Sequence, residues 1–183
     1  MAELNAEVQL DSQRVYDGRI VRLDVDTVRL AGGGESVREV VRHGGAALVI
    51  PVDAEGQVTL IRQFRYATGQ VLLEAPAGGR DGEEPPLACA QRELAEETGL
   101  GAGEWVELGH FYTTPGFTDE IIWVFLARDL RPVSGFAADH DEEIEIVRMP
   151  LAEAHARALR GEILDAKTVC GLVWAGARLA AGP

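Results

Sequence analysis

Apolar positions along this chain keep three different rhythms. Val21, Leu23, Val25 and Thr27 alternate with Ile20, Arg22, Asp24 and Asp26, the period-two pattern of a half-buried strand. Ala31-Gly32-Gly33-Gly34 turns the chain, and Glu35 to Arg42 returns as the hairpin partner. Ala46 to Val52 is instead one continuous apolar run, AALVIPV, as in a strand buried on both faces. Further strands are predicted at Gln57 to Phe64, Val71 to Glu74, Trp105 to Thr113, Ile121 to Leu126 and Glu143 to Met149. The third rhythm is helical. It covers Leu151 to Leu159 and Ala166 to Leu179, the latter with Leu172, Val173, Ala175, Gly176 and Leu179 on or near a core face. Strands mixed with an internal helix and C-terminal helices predict an α/β fold, a sheet covered on both faces. Residues 1–44 form an N-terminal antiparallel β segment with too few apolar side chains for a core of its own, so it needs to pack on the main domain, 45–183, or on a second copy.

The internal helix is marked at both ends. Gly78 and Gly79 open a turn, and Pro85 and Pro86 stand at the first helical positions, where a missing N–H has no partner to lose. Gly99 follows the last turn as a left-handed cap. Advancing about 100° per residue puts Glu93, Glu96 and Glu97 on one face, with Leu87, Ala90 and Leu94 on the adjoining apolar face. Like charges so spaced destabilise a helix, by roughly 0.2–0.5 kcal/mol per pair. They ask for a compensating cation, and carboxylate oxygens favour a hard one such as Mg²⁺ or Mn²⁺. A solvated acidic face is the plain alternative. Cys89, one turn before Glu93, reads as a passive small residue.

Gly78, Glu84, Arg92, Glu93, Leu94, Glu96, Glu97, Gly99 and Leu100, in register, resemble the Nudix box of the Nudix hydrolases, with every defining position filled. The resemblance implies a Nudix-type α/β/α sandwich with a mixed central sheet, in which a loop–helix–loop holds divalent metal against a diphosphate. Glu93, Glu96, Glu97 and the carbonyl of Ala77 would be metal ligands, with Glu97 counted also among the catalytic groups. Gly78, Glu84, Arg92 and Gly99 would be structural, Arg92 and Glu84 holding loop to helix.

Thr113 to Glu120, TTPGFTDE, is by itself a Pro-Gly turn between strands. It resembles the corresponding loop of the ADP-ribose pyrophosphatase branch, which implies substrate or outer-metal roles for Thr114 and Glu120. The run Asp139-His140-Asp141-Glu142-Glu143 reads as a solvated loop on charge alone. The branch carries an acidic loop there that supplies a general base, which makes Glu142 the first choice, Glu143 the second and Glu120 a further candidate. Arg65 is the best cationic candidate for substrate phosphate, since its fork can donate two parallel hydrogen bonds; a surface arginine in a salt bridge is the plain alternative, and the resemblance to the ADP-ribose pyrophosphatase branch implies the phosphate role.

The net charge of −13 repels nucleic acid and anionic membrane surfaces, and it suits an anionic substrate only if metal ions stand between the two. No apolar run reaches the length of a membrane span, the N-terminus has no signal-peptide pattern, and Cys89 and Cys170 form no framework, so the expected compartment is the cytoplasm. The resemblance implies an enzyme hydrolysing the diphosphate bond of ADP-ribose to AMP and ribose 5-phosphate. Other nucleoside diphosphate sugars, ADP-glucose or GDP-mannose, are the alternative, and a non-catalytic sensor of such ligands comes after them. In this branch the N-terminal β segment commonly exchanges between subunits and helps form the base pocket, which implies a homodimer. Tyr16 and Ile20 have only a positional claim on the base.

Overall fold

In the computed structural model, which describes residues 6–135 and 143–181, the chain runs β1 (Val8–Asp17), β2 (Arg22–Arg29), β3 (Glu35–Arg42), β4 (Ala46–Pro51), β5 (Gln57–Arg65), β6 (Gln70–Glu74), β7 (Ala77–Gly79), α1 (Pro86–Thr98), β8 (Leu100–Tyr112), β9 (Ile121–Pro132), β10 (Ile144–Pro150), α2 (Leu151–Leu159) and α3 (Ala166–Ala180). These elements divide into two compact units. The first extends to Gly45 and takes in Tyr112–Ile121; the second holds Ala46–Phe111 and the chain from Ile122 onward.

The first unit is an antiparallel sheet in the order β1-β2-β3. Its middle strand alternates in burial, but the covered side carries Asp24 and Asp26 while Leu23 and Val25 are only half-buried. Arginines on the flanking strands account for the reversal. Arg42 donates Nε to Asp24 Oδ2 at 3.1 Å and Nη2 to Asp26 Oδ2 at 2.7 Å, and Arg14 pairs with Asp24 from β1. Paired in this way, the two carboxylates can leave water without stranding a charge.

In the second unit β4 lies between β7 and β9, antiparallel to one and parallel to the other, in a sheet ordered β7-β4-β9-β8. A second sheet has the order β10-β5-β6. The continuous apolar run of β4 serves two cores. Leu48, Ile50 and Val52 pack with Val58, Leu60, Val124, Leu126 and Leu172, and Ala47 and Val49 pack with Cys89, Ala90, Leu94 and Phe125. Helices therefore cover both faces, and the unit is an α/β/α sandwich with a mixed central sheet. Helix α3 comes close enough to β4 that a Cβ on Gly171 would lie 2.7 Å from Leu48 Cδ2.

Gly78 and Gly79 do not simply open a turn. Ala77–Gly79 is a short strand, with Leu48↔Ala77, Ala47↔Gly78 and Ala46↔Gly79 in register. Three residues, two of them glycine, carry no periodicity, so only pairing with β4 reveals the strand. At the other end of α1 the chain enters β8 directly at Leu100, five residues before the expected start.

Candidate active site

Helix α1 has the predicted caps. Pro86 is its first residue, and Gly99 takes φ 67°, ψ 18° with its N–H donating to Ala95 O at 3.0 Å. The faces differ from expectation. Cys89, Glu93 and Glu97 form one buried row beside Ala90, Leu94 and Thr98, so two of the carboxylates lie within the covered arc, not next to it. Leu87, expected on the apolar face, is in the first turn and 40% exposed, and Cys89 is fully buried.

Arg92 is what lets these acids cluster. Its Nη1 donates to Glu93 Oε1 at 2.6 Å and to Glu96 Oε2 at 3.0 Å. Its Nε and Nη2 form a fork on Glu84, at 3.2 and 3.0 Å, and Nη2 also reaches the carbonyl of Gly79 at 2.9 Å. One guanidinium thus ties the loop before the helix to two helix carboxylates. Its bond to Glu84 holds that carboxyl below the ordinary value and raises the arginine's own pKa. Arg80 closes the loop, donating Nε to Glu84 O at 2.7 Å with its guanidinium 5.0 Å from the centre of the Trp123 ring.

Strand β7 is shaped to the same carboxylates. Glu97 Oε2 accepts the N–H of Ala77 at 3.0 Å. Glu93 lies so close over Gly78 that a Cβ there would be 2.1 Å from its Oε1. The Cys89 thiol is pushed up to about 12 by burial first and then by the charge of Glu93, and it stays protonated against the carbonyls of Gly78 and Gly79.

Among the described residues no three His, Cys, Asp or Glu side chains converge as a ready cage for a metal ion, because Arg92 stands between Glu93 and Glu96. The donor chemistry fits a hard divalent cation nonetheless. Glu93, Glu96 and Glu97 are oxygen donors within five residues of one helix, and the adjoining backbone at Ala77 is already fixed by Glu97.

Arg65 ends β5 with its side chain 37% exposed and its fork set on the buried Glu74, Nε to Oε1 and Nη2 to Oε2, both at 2.8 Å. Lys167 of α3 meets the same carboxylate. No local pattern joins Glu74 and Lys167, which lie 93 residues apart, so their pairing is visible only in the fold. Glu143 is exposed immediately before β10, and Glu142 lies outside the described residues.

Thr114 and Glu120 belong to the first unit. Thr114 O accepts the N–H groups of Phe117 and Thr118 at 3.1 Å, which closes the loop as a tight turn. Glu120 Oε2 accepts from Thr113 Oγ1 at 2.7 Å. The loop is stitched to β3 by Val41 N–H to Phe117 O at 2.8 Å and by His43 N–H to Asp119 Oδ1 at 2.8 Å, with Arg42 Nη1 3.4 Å from Asp119 Oδ2. Asp119, part of the TTPGFTDE stretch, has no role assigned from sequence, and Arg42 is traceable there only through the Asp24–Asp26 alternation it pairs with.

A sandwich whose inner helix buries carboxylates against a glycine strand, with an arginine locking loop to helix, is the loop–helix arrangement that the resemblance to the Nudix box implies. The chain belongs to the Nudix hydrolase family: residues 42–170 match the NUDIX domain. Residues 7–41 match the nucleoside diphosphate sugar hydrolase N-terminal domain. The chain is 41% identical over 175 residues to the ADP-ribose pyrophosphatase of Mycobacterium tuberculosis, covering 94% of this chain and 84% of that one. It is 41% identical over 142 residues to the GDP-mannose pyrophosphatase of Citrobacter koseri, covering 72% and 73%. In fold it is similar to a crystal structure of an ADP compounds hydrolase, with a TM-score of 0.86 at 24% identity over 99% of this chain and 98% of that one.

Proposed function

We propose that this Nudix hydrolase cleaves the diphosphate bond of ADP-ribose, giving AMP and ribose 5-phosphate. The observation that carries the reading is the box itself: Glu93 and Glu97 held within the covered arc of α1, against a strand with room for no side chain at Gly78. Similarity to the mycobacterial ADP-ribose pyrophosphatase over 94% of the chain supports the choice of substrate. The similarity to GDP-mannose pyrophosphatases makes other nucleoside diphosphate sugars the second reading.

Glu93, Glu96, Glu97 and the carbonyl of Ala77 would hold the divalent cation, Mg²⁺ or Mn²⁺. When bound it supplies the positive charge that acidifies water and offsets the diphosphate. Arg65 directs its fork to a phosphate oxygen. A glutamate outside the helix, Glu142 before Glu143 or Glu120, accepts the proton of the attacking water. The water oxygen bonds to one phosphorus, the bridging P–O bond breaks, and each product leaves as a phosphate monoester. Thr114 and Glu120 are the loop residues proposed to contact the substrate.

We place the enzyme in the cytoplasm as a homodimer joined through its N-terminal sheet. Cys89 and Cys170 are both unpaired, which favours a reducing compartment. Among the described residues no helix is long and apolar enough to cross a membrane. Val15, Tyr16, Ile20 and Val37 leave apolar surface exposed on the first unit, which a second copy would cover.

The test is a panel of nucleoside diphosphate sugars incubated with Mg²⁺ and scored for nucleoside monophosphate. ADP-ribose is expected to be turned over fastest. A preference of more than about tenfold for GDP-mannose would move the assignment to the second reading. Glu142→Gln and Glu143→Gln, measured side by side, assign the base: the one that lowers kcat by about a hundredfold or more is the proton acceptor. Near-normal turnover in both shifts the role to Glu120.

A further inference from the structure

Glu74 is 1% exposed and meets two cations at once. Arg65 occupies both of its oxygens, and Lys167 Nζ shares Oε2. Lys167 is itself held by Asp165, whose Oδ1 accepts from Nζ at 2.9 Å. Asp165 caps α3, its Oδ2 accepting the N–H of Thr168 at 3.0 Å, and Thr168 Oγ1 in turn accepts the N–H of Ala75 at 2.7 Å. The first turn of α3 therefore grips the end of β6 just before the chain enters Ala77. Burial pushes the Glu74 carboxyl up, but the bonds from Arg65 and Lys167 outweigh it and hold the group below its ordinary value.

A buried carboxylate tied to one arginine resists giving that arginine up, because its departure strands a charge out of water. Two cations on one carboxylate remove that obstacle. If Arg65 turns towards another anion, Lys167 still compensates Glu74. We propose that Lys167 is a positioning residue that sets how readily Arg65 exchanges its buried carboxylate for the diphosphate of the substrate. The inference rests on the role assigned to Arg65 above. Lys167 touches no reacting atom, and its effect passes through Glu74.

Steady-state kinetics of the full chain on ADP-ribose with Mg²⁺ test it. Lys167→Met leaves Arg65 locked on Glu74, so KM rises about tenfold while kcat stays within about twofold. Lys167→Arg keeps the charge and holds KM within about threefold of wild type. The double variant Glu74→Gln/Lys167→Met takes away the charge that locks Arg65, and its KM falls back towards wild type, a recovery that a purely structural role would not give. A wild-type KM in Lys167→Met, or a double variant whose KM is no lower than that of the single, overturns the proposal. If thermal melting shows Lys167→Met unfolded, Lys167→Gln carries the same two readings. A wild type inert towards every nucleoside diphosphate sugar overturns the functional reading and this inference with it; an active wild type with an unchanged Lys167→Met overturns the role of Lys167 alone.

Discussion

A methyl group at position 78 would fall 2.1 Å from Glu93 Oε1, so this glycine is the point where backbone and carboxylate compete for the same space. Gly78→Ala is expected to displace Glu93 and lower kcat by about a hundredfold, at a stability cost of about 1–3 kcal/mol typical of overpacking. Kinetics and a denaturant titration on the same variant check both halves, and unchanged kcat would mean that Glu93 has no fixed place to keep. Arg92 is the counterpart. Arg92→Met leaves Glu84, Glu93 and Glu96 without their shared cation, and the chain should lose about 3 kcal/mol in the same titration. Acid acts on these residues in one direction. Glu74 and Glu84 titrate below the ordinary carboxyl value in the folded chain. The stability they confer is therefore complete above about pH 4.3, the value of an unfolded glutamate, and is lost as pH falls through their lowered folded values. A melting temperature that is level from pH 7 to 5 and drops below pH 4 is the expected profile, with a shallower drop in Glu84→Gln.

At the scale of elements, the sequence was most legible where one pattern decided one thing. The run AALVIPV identified the central strand because both of its faces are covered, and the proline start and glycine stop of α1 are local chemistry. What could not be read depended on partners distant in sequence. Strand β7 exists through β4, the buried aspartates of β2 through Arg14 and Arg42, and the place of Glu93 and Glu97 within the covered arc through Arg92 and the N–H of Ala77. Arg65 was visible as a cation, but the buried carboxylate that aims it was not. Helix α3 gives a direct test of element packing. A Cβ on Gly171 would meet Leu48 at 2.7 Å and Ile50 at 2.8 Å, so Gly171→Val should cost about 1–3 kcal/mol or more by forcing α3 away from β4. A variant as stable as wild type would mean that the two elements are not in such close contact.

At the scale of the whole molecule, the acidic balance and the chemistry fit one another. A chain of net charge −13 acting on a diphosphate needs positive charge at the point of contact, and Arg65 and a divalent cation are where it is expected to come from. The exposed apolar side chains of the N-terminal sheet predict a homodimer, so sedimentation at micromolar concentration should give twice the chain mass of 19.7 kDa. A single-chain mass would refute the dimer without touching the chemistry of the box. The central claim is that carboxylates on α1 serve hydrolysis of ADP-ribose, and one assay addresses it most directly: release of AMP from ADP-ribose with and without Mg²⁺, for wild type and Glu97→Gln. Rapid release by wild type only with the metal, and a loss of about a hundredfold or more in Glu97→Gln, is the expected result. Equal release by the two proteins, or none by wild type, would contradict it.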